Sequence, residues 1–255
     1  MKKRIVIKVG SHVLSEHGAL CDERMDALCG LIAELMDVYD VILVSSAAIS
    51  AGQSKIDLKR DSVVHKQILA AVGQPHLMAT YEKKMSVYAK KTAQLLLNAA
   101  DFDSKHRSTH AKNLVFGLLE LGILPIINEN DATATAEIVY GDNDRLSADA
   151  ALCFDAYMLV MLSDIDGYYD SNPSQNKNAK IRPVVNTINK AEIASAGGAG
   201  SEHGTGGIAT KLMAASMLLA EGKKMFLASG FDLSAVRSFL LEGKDLVGRV
   251  FWIFI

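Results

Sequence analysis

The chain has 255 residues, 49% of them hydrophobic, and a formal net charge of −2. That length suits one large α/β domain or two small ones, with about three quarters of the unfolded surface buried on folding. The balanced charge argues against nucleic acid as the main partner, and no apolar stretch approaches the ~20 residues that span a bilayer. The apolar run after Met1-Lys2-Lys3-Arg4 is only Ile5-Val6-Ile7, too short for a secretory signal. Cys21, Cys29 and Cys153 are three in number and lack metal spacing, which predicts reduced, structural thiols and a cytoplasmic location.

Short β-branched runs alternate with helical patterns. In chain order, strands are expected at 4–9, 41–45, 92–97, 124–128, 158–162, 224–228 and 246–251. Helices are expected at 22–39, 62–89 (kinked near Gly73-Gln74-Pro75), 106–121, 145–154, 208–220 and 234–241. Several strands are apolar on both faces, as in the centre of a parallel sheet. The alternation implies βαβ crossovers with helices on both faces of the sheet, and so an α/β fold: a three-layer α/β/α sandwich around a mainly parallel central sheet. The polar stretch 170–178 is a loop. One domain over 1–255 is expected, its two lobes, 1–155 and 156–255, meeting near residue 155.

Ligands of open α/β sheets gather beyond the carboxyl ends of the strands. The polar residues of this chain cluster there: Lys8 and Gly10-Ser11 after the first strand, Ser45-Ser46-Ala47 after the second, Asn128-Glu129-Asn130-Asp131 after the fourth, Ser163-Asp164 after the fifth. Lys8 interrupts an apolar run, which is costly unless its ammonium meets a charged partner. Gly204-Thr205-Gly206-Gly207-Ile208-Ala209-Thr210-Lys211 combines backbone freedom, a helix start and a lysine, the parts of a phosphate site. It is not a Walker A loop, and no G-x-G-x-x-G fingerprint follows a strand. Gly141-Asp142-Asn143-Asp144-Arg145 reads as a turn with a helix cap, and 132–140 as a β-hairpin arm. The seven histidines show no H-E-x-x-H or other ligand spacing, and no metal site is expected. His12 and His203, beside the phosphate loops, are expected to be incidental.

Lys8-Val9-Gly10-Ser11, Ser45-Ser46-Ala47-Ala48-Ile49, Gly141-Asp142-Asn143-Asp144 and the loop 204–211 occur in that order. Together they resemble the amino acid kinase superfamily. The stretch from Ile127 through Asp144, with Gln67-Ile68-Leu69-Ala70-Ala71-Val72-Gly73-Gln74, resembles its glutamate 5-kinase branch.

The resemblance implies ATP-dependent phosphorylation of the side-chain carboxylate of L-glutamate, at the entry to proline biosynthesis. It also implies Mg²⁺ arriving bound to ATP and a homodimer or homotetramer. Lobe 1–155 would hold the acceptor and 156–255 the nucleotide. Lys8, Lys211 and Asp144 match catalytic positions, the lysines flanking the transferring phosphoryl group. Ser46, Ala47, Asp131 and Asn143 match glutamate-binding positions, Asp131 facing the α-ammonium. Lys8, Gly10, Ser11, Ser163, Asp164, Thr205, Gly206, Gly207, Ile208, Ala209, Thr210 and Lys211 match ATP-binding positions, with N–H groups of Gly10 and Ser11 on the phosphoryl oxygens. Asp142 and Asp144 would orient the lysines or metal-bound water.

The chain departs from the pattern in two places. Ala47 stands where many members carry glycine, and the C-terminal PUA-type domain of many glutamate 5-kinases is not expected here. Rival readings are a kinase of the same fold acting on N-acetylglutamate, aspartate, carbamate or uridylate, and a catalytically idle nucleotide-binding sensor. Few arginines in the acceptor half argue against uridylate, and the presence of both lysines argues against the sensor.

Overall fold

The structure, a computed structural model, describes residues 2–133, 143–171, 176–182, 184–196, 207–244 and 250–251. The first half runs β1 (Lys3–Val9), α1 (Ser11–Leu14), a small hairpin of β2 (Ser15–Glu16) and β3 (Ala19–Leu20), α2 (Asp22–Val38), β4 (Tyr39–Ser45) and α3 (Ala48–Gln53). Then come α4 (Val63–Ser86), β5 (Lys91–Leu97), α5 (Ala99–Asp103), α6 (Lys105–Glu120) and β6 (Ile123–Glu129). The second half runs α7 (Asn143–Cys153), β7 (Met158–Ser163), β8 (Val184–Val185), α8 (Lys190–Ala196), α9 (Ile208–Ala220), β9 (Lys224–Ser229), α10 (Ser234–Leu241) and β10 (Val250–Phe251).

The main sheet has the order β5-β6-β4-β1-β7-β9-β10-β8. Its five central pairings from β5 to β9, and that of β10 with β8, are parallel; β10 runs antiparallel to β9. β1, buried from Ile5 to Val9, lies in the middle between β4 and β7, so the sheet is continuous across residue 155. The strands and helices expected from periodicity are present with ends shifted by a few residues. The 246–251 strand is described only at Val250–Phe251, and the 132–140 arm lies almost wholly outside the described residues.

The period-2 alternation of β1 divides the core. Ile5, Ile7 and Val9 face α2, α4 and α10, against Leu28, Ile32, Leu77, Tyr81 and Val236. Val6 faces the other layer, with Val115 of α6, Leu146 and Ala150 of α7, and Leu212, Ala215 and Leu218 of α9. Lys8, two residues beyond Val6, shares that second face. Helices on both faces complete the three-layer sandwich.

α3 and α4 cross with their backbones in contact. A Cβ on Gly73 would stand 1.9 Å from the Ala48 carbonyl oxygen, and one on Gly52 would stand 2.0 Å from that of Leu69. The crossing fixes the chain that leaves β4 against the long helix. α4 is assigned as one helix through Pro75 rather than as two segments. Proline has no N–H, so the Ala71 carbonyl receives no bond from position 75. Cys29 is buried, its thiol pushed up to about 12 by that burial; Cys21 and Cys153 are half-buried and likewise free thiols. Among the described residues no helix is long and apolar enough to cross a membrane.

Candidate functional site

Three charged side chains far apart in sequence meet beyond the carboxyl ends of β1 and β7. Asp144, the second residue of α7, is 1% exposed. Its Oδ1 lies 2.5 Å from Lys8 Nζ and its Oδ2 3.2 Å from Lys211 Nζ. Thr210 Oγ1 donates to the same Oδ2 at 2.7 Å. Lys8 and Lys211 are themselves only 6% and 4% exposed. Each arrives by local periodicity: Lys8 from the face of β1 that meets α7 and α9, and Lys211 from the buried stripe of α9 that continues through Leu212, Ala215 and Leu218. Burial pushes the Asp144 carboxyl up, but the charges of Lys8 and Lys211 outweigh it and hold the group at about 2. The carboxylate is therefore ionised throughout the physiological range. It keeps two ammonium groups close together where their mutual repulsion would otherwise part them.

The α9 N-terminus begins at Gly207, which caps it in extended conformation. Thr210 also donates to the Gly207 carbonyl at 2.8 Å. Ile208 and Ala209 form the half-buried first turn beside Lys211. Thr205, Gly206, Asp142 and His203 lie outside the described residues. Ser163 closes β7, and its hydroxyl donates to Asp164 Oδ1 at 2.9 Å. His12 of α1 reaches the other Asp164 oxygen at 3.5 Å.

Gly10 differs from its expected role. Its N–H is donated to the Leu162 carbonyl at 3.2 Å, joining β1 to β7, and so is committed to the fold. What Gly10 leaves is space, since a Cβ there would stand 3.7 Å from Lys8 Nζ. Ser11 opens α1, and its carbonyl accepts from the Ser15 hydroxyl.

The acceptor candidates lie on the β4–β6 side. Asn143 Nδ2 donates to Ser46 Oγ at 2.8 Å, to the Ser45 carbonyl at 3.2 Å and to Asn128 Oδ1 at 3.0 Å. Its own Oδ1 is buried without a hydrogen-bond partner among the described residues. Asn128 passes the network on, its Nδ2 donating to Gln74 Oε1 at 2.9 Å. Ser45 and the fully buried Tyr81 share a 2.8 Å hydrogen bond beneath. Asp131 follows β6 and lines a cavity of about 240 Å³ together with Ala48, Gln74, Leu96, Glu129 and Asn130. Burial pushes its carboxyl up to about 6. A second cavity of about 450 Å³ opens beside α5, α6 and α7, lined in part by Phe102, Asp103, Lys112 and Cys153; it shares no lining residue with the charged cluster.

Ala47 is held at φ 84°, ψ 10° as the cap of α3. Glycine is the ordinary occupant of this left-handed region, and alanine costs roughly 1–2 kcal/mol there. The departure at Ala47 is therefore borne by the backbone. Ala47→Gly is expected to raise stability by about 1 kcal/mol, the strain relief being partly offset by glycine's unfolded-state entropy. Urea unfolding at constant m would show it, and an unchanged midpoint would mean the surroundings already absorb the strain.

Sequence reasoning placed Asn128 in the polar cluster after β6 but missed Gln74 and Tyr81 as members of the network. One signal was present: Gln74 interrupts the apolar stripe Ala70, Gly73, Leu77, Tyr81 of α4, as Lys8 interrupts β1. It also passed over His106 and His110, one turn apart on α6, whose Nε2 atoms are 3.2 Å from each other. Among the described residues no group of three or more His, Cys, Asp or Glu could hold a metal ion.

Comparison with known proteins adds three findings. A family model described as the amino acid kinase family matches residues 3–229. A glutamate 5-kinase of Wolinella succinogenes is 50% identical over 98% of this chain and 97% of its own length, and one of Leishmania donovani is 46% identical over 98% and 95%. Among solved structures, carbamate kinase from Giardia lamblia bound to AMP-PNP superposes with a TM-score of 0.67 at 13% identity, covering 99% of each chain. UMP kinase from Ureaplasma parvum superposes with a TM-score of 0.64 at 16% identity, covering 100% of each.

Proposed function

Since this chain belongs to the amino acid kinase family, we propose that it transfers the γ-phosphoryl group of ATP to the side-chain carboxylate of L-glutamate, giving γ-glutamyl phosphate and ADP, the first step of proline biosynthesis. The observation that carries the reading is Lys8 and Lys211 converging on Asp144, in a chain about half identical to a glutamate 5-kinase along nearly its whole length.

A carboxylate oxygen of glutamate attacks the γ-phosphorus, the bond to the β–γ bridging oxygen breaks, and ADP leaves with that electron pair. The nucleophile is already ionised at neutral pH, so no general base is required. The protein's task is positioning and charge stabilisation. Lys8 and Lys211 meet charge on the transferring phosphoryl group, and Asp144 fixes both ammonium groups without titrating. Ser11, Ser163, Asp164, the loop from Thr205 to Gly207 and the first turn of α9 hold the nucleotide, with Gly10 leaving room beside Lys8. Mg²⁺ comes as part of the MgATP substrate and keeps several waters. Ser46, Ala47, Asn143 and Asp131 hold glutamate, with Asp131 against the α-ammonium. The acceptor and nucleotide lobes, 1–155 and 156–255, meet at β1. Self-association as a dimer or tetramer belongs to the same proposal. It is supported by the exposed apolar stripe Val64, Ile68, Val72 on α4, and sedimentation would report it.

ADP release should depend on both L-glutamate and Mg²⁺, and hydroxylamine should trap the product as a hydroxamate. Turnover with aspartate, N-acetylglutamate, carbamate or uridylate but not with glutamate would refute the assignment. The pH profile gives a sharper test. Asp131, with its raised pKa of about 6, must be ionised to receive an ammonium. Apparent glutamate affinity should therefore hold above that value and weaken below it, by roughly tenfold per pH unit once protonation dominates. The KM for MgATP should not follow the same curve.

A further inference from the structure

Gln74 is 8% exposed and lines the cavity that holds Asp131. Its Nε2 is buried without a hydrogen-bond partner among the described residues. An amide nitrogen in that position costs about 1–3 kcal/mol if nothing accepts from it, so the fold must have a reason to keep it there.

The direction of the amide is imposed from two backbone groups whose roles cannot reverse. The Ser45 carbonyl only accepts, so the Asn143 group 3.2 Å from it is the NH₂. The Glu129 N–H only donates, so the Asn128 atom 2.9 Å from it is Oδ1. That oxygen also takes the Asn143 hydrogen bond. Asn128 is left to donate through Nδ2, and Gln74 must answer with Oε1. The relay from β4 through α7 and β6 to α4 thus leaves Gln74 Nε2 as the unspent donor at the cavity.

A zwitterionic α-amino acid needs an acceptor for its ammonium and a donor for its α-carboxylate. Asp131 is an acceptor on this cavity, and Gln74, which also lines it, carries the unspent donor Nε2. We propose that Gln74 binds the α-carboxylate of the acceptor amino acid and thereby selects against substrates that lack this group. The assignment rests on glutamate being the acceptor.

The test is Gln74→Glu, which keeps an oxygen for Asn128 Nδ2 but replaces the donor with a second acceptor of nearly the same shape. Loss of a hydrogen bond to a charged group predicts a glutamate KM raised by about 10- to 100-fold, with kcat and the KM for MgATP near wild type. Glutarate, which keeps both carboxylates, and 4-aminobutyrate, which lacks the α-carboxylate, are measured as competitors of glutamate. Glutarate should weaken with glutamate, while the inhibition constant of 4-aminobutyrate should stay within about twofold, since it makes no contact with the lost donor. Gln74→Met, neutral and of similar length, should give the same pattern more mildly and guards against a folding artefact of the new charge. A glutamate KM that does not change, or a parallel loss for 4-aminobutyrate, overturns the Gln74 assignment. Absence of glutamate turnover in the wild-type chain would instead overturn the proposed function.

Discussion

Lys8→Ala and Lys211→Ala are each expected to lower kcat by about 10²–10³, the usual loss when one preorganised charge donor to a transition state is removed. KM values should change far less, because each ammonium is proposed to meet charge that grows only as the β–γ bond breaks. The geometry adds a constraint on the pair. Both lysines hold opposite oxygens of one buried carboxylate, so removing either one frees Asp144 to swing towards the other. The double variant should therefore lose less than the product of the two single losses. Lys8→Arg should not rescue, since a planar guanidinium does not fit the space of a compact ammonium that Asp144 holds at 2.5 Å. Near-normal kcat in Lys211→Ala at saturating ATP would place the catalytic charge elsewhere and reduce the loop before α9 to a binding element.

Gly73→Ala should be the most damaging single methyl in the described fold. Its Cβ would stand 1.9 Å from the Ala48 carbonyl oxygen and 2.3 Å from the Gly52 nitrogen. Both are backbone atoms of α3, so relief requires one helix to move off the other. Overpacking costs typically about 1–3 kcal/mol and occasionally more, and a clash with backbone on both sides belongs at the upper end; each kcal/mol is equivalent to a fall in Tm of roughly 2–4 °C in a domain of this size. The displacement would also carry Ser46, Ala47 and Gln74 with it, so the surviving folded enzyme should show a raised glutamate KM and a nearly normal KM for MgATP. Gly117→Ala in α6 is the control, because its new Cβ meets nothing within 4 Å and a helix interior favours alanine by roughly 0.5–1 kcal/mol. Equal stability of Gly73→Ala and wild type would mean that the α3–α4 crossing is looser than its backbone contacts show.

The sequence by itself determined the layers and their order of appearance. Apolar runs of strand length and helical stripes are local patterns, and burial of each stripe against the sheet follows from the period of its own element. Lys8 was legible for the same reason, since a charge inside an apolar run is conspicuous without knowing its partner, and Lys211 because it closes a glycine-rich run at a helix start. Only the tertiary structure decided that both share Asp144, because three positions at 8, 144 and 211 meet through the strand order that places β1 beside β7 and under α7 and α9. It also decided that Gly10 spends its N–H on Leu162 and that Ala47 sits in the left-handed region. The unspent donor of Gln74 was likewise settled only there, since the amide's direction is fixed by Ser45 and Glu129, backbone groups on neighbouring strands. Hydrogen bonds are directional and their partners distant in sequence, whereas burial is neither, and this is why the core could be read from periodicity while the polar network could not.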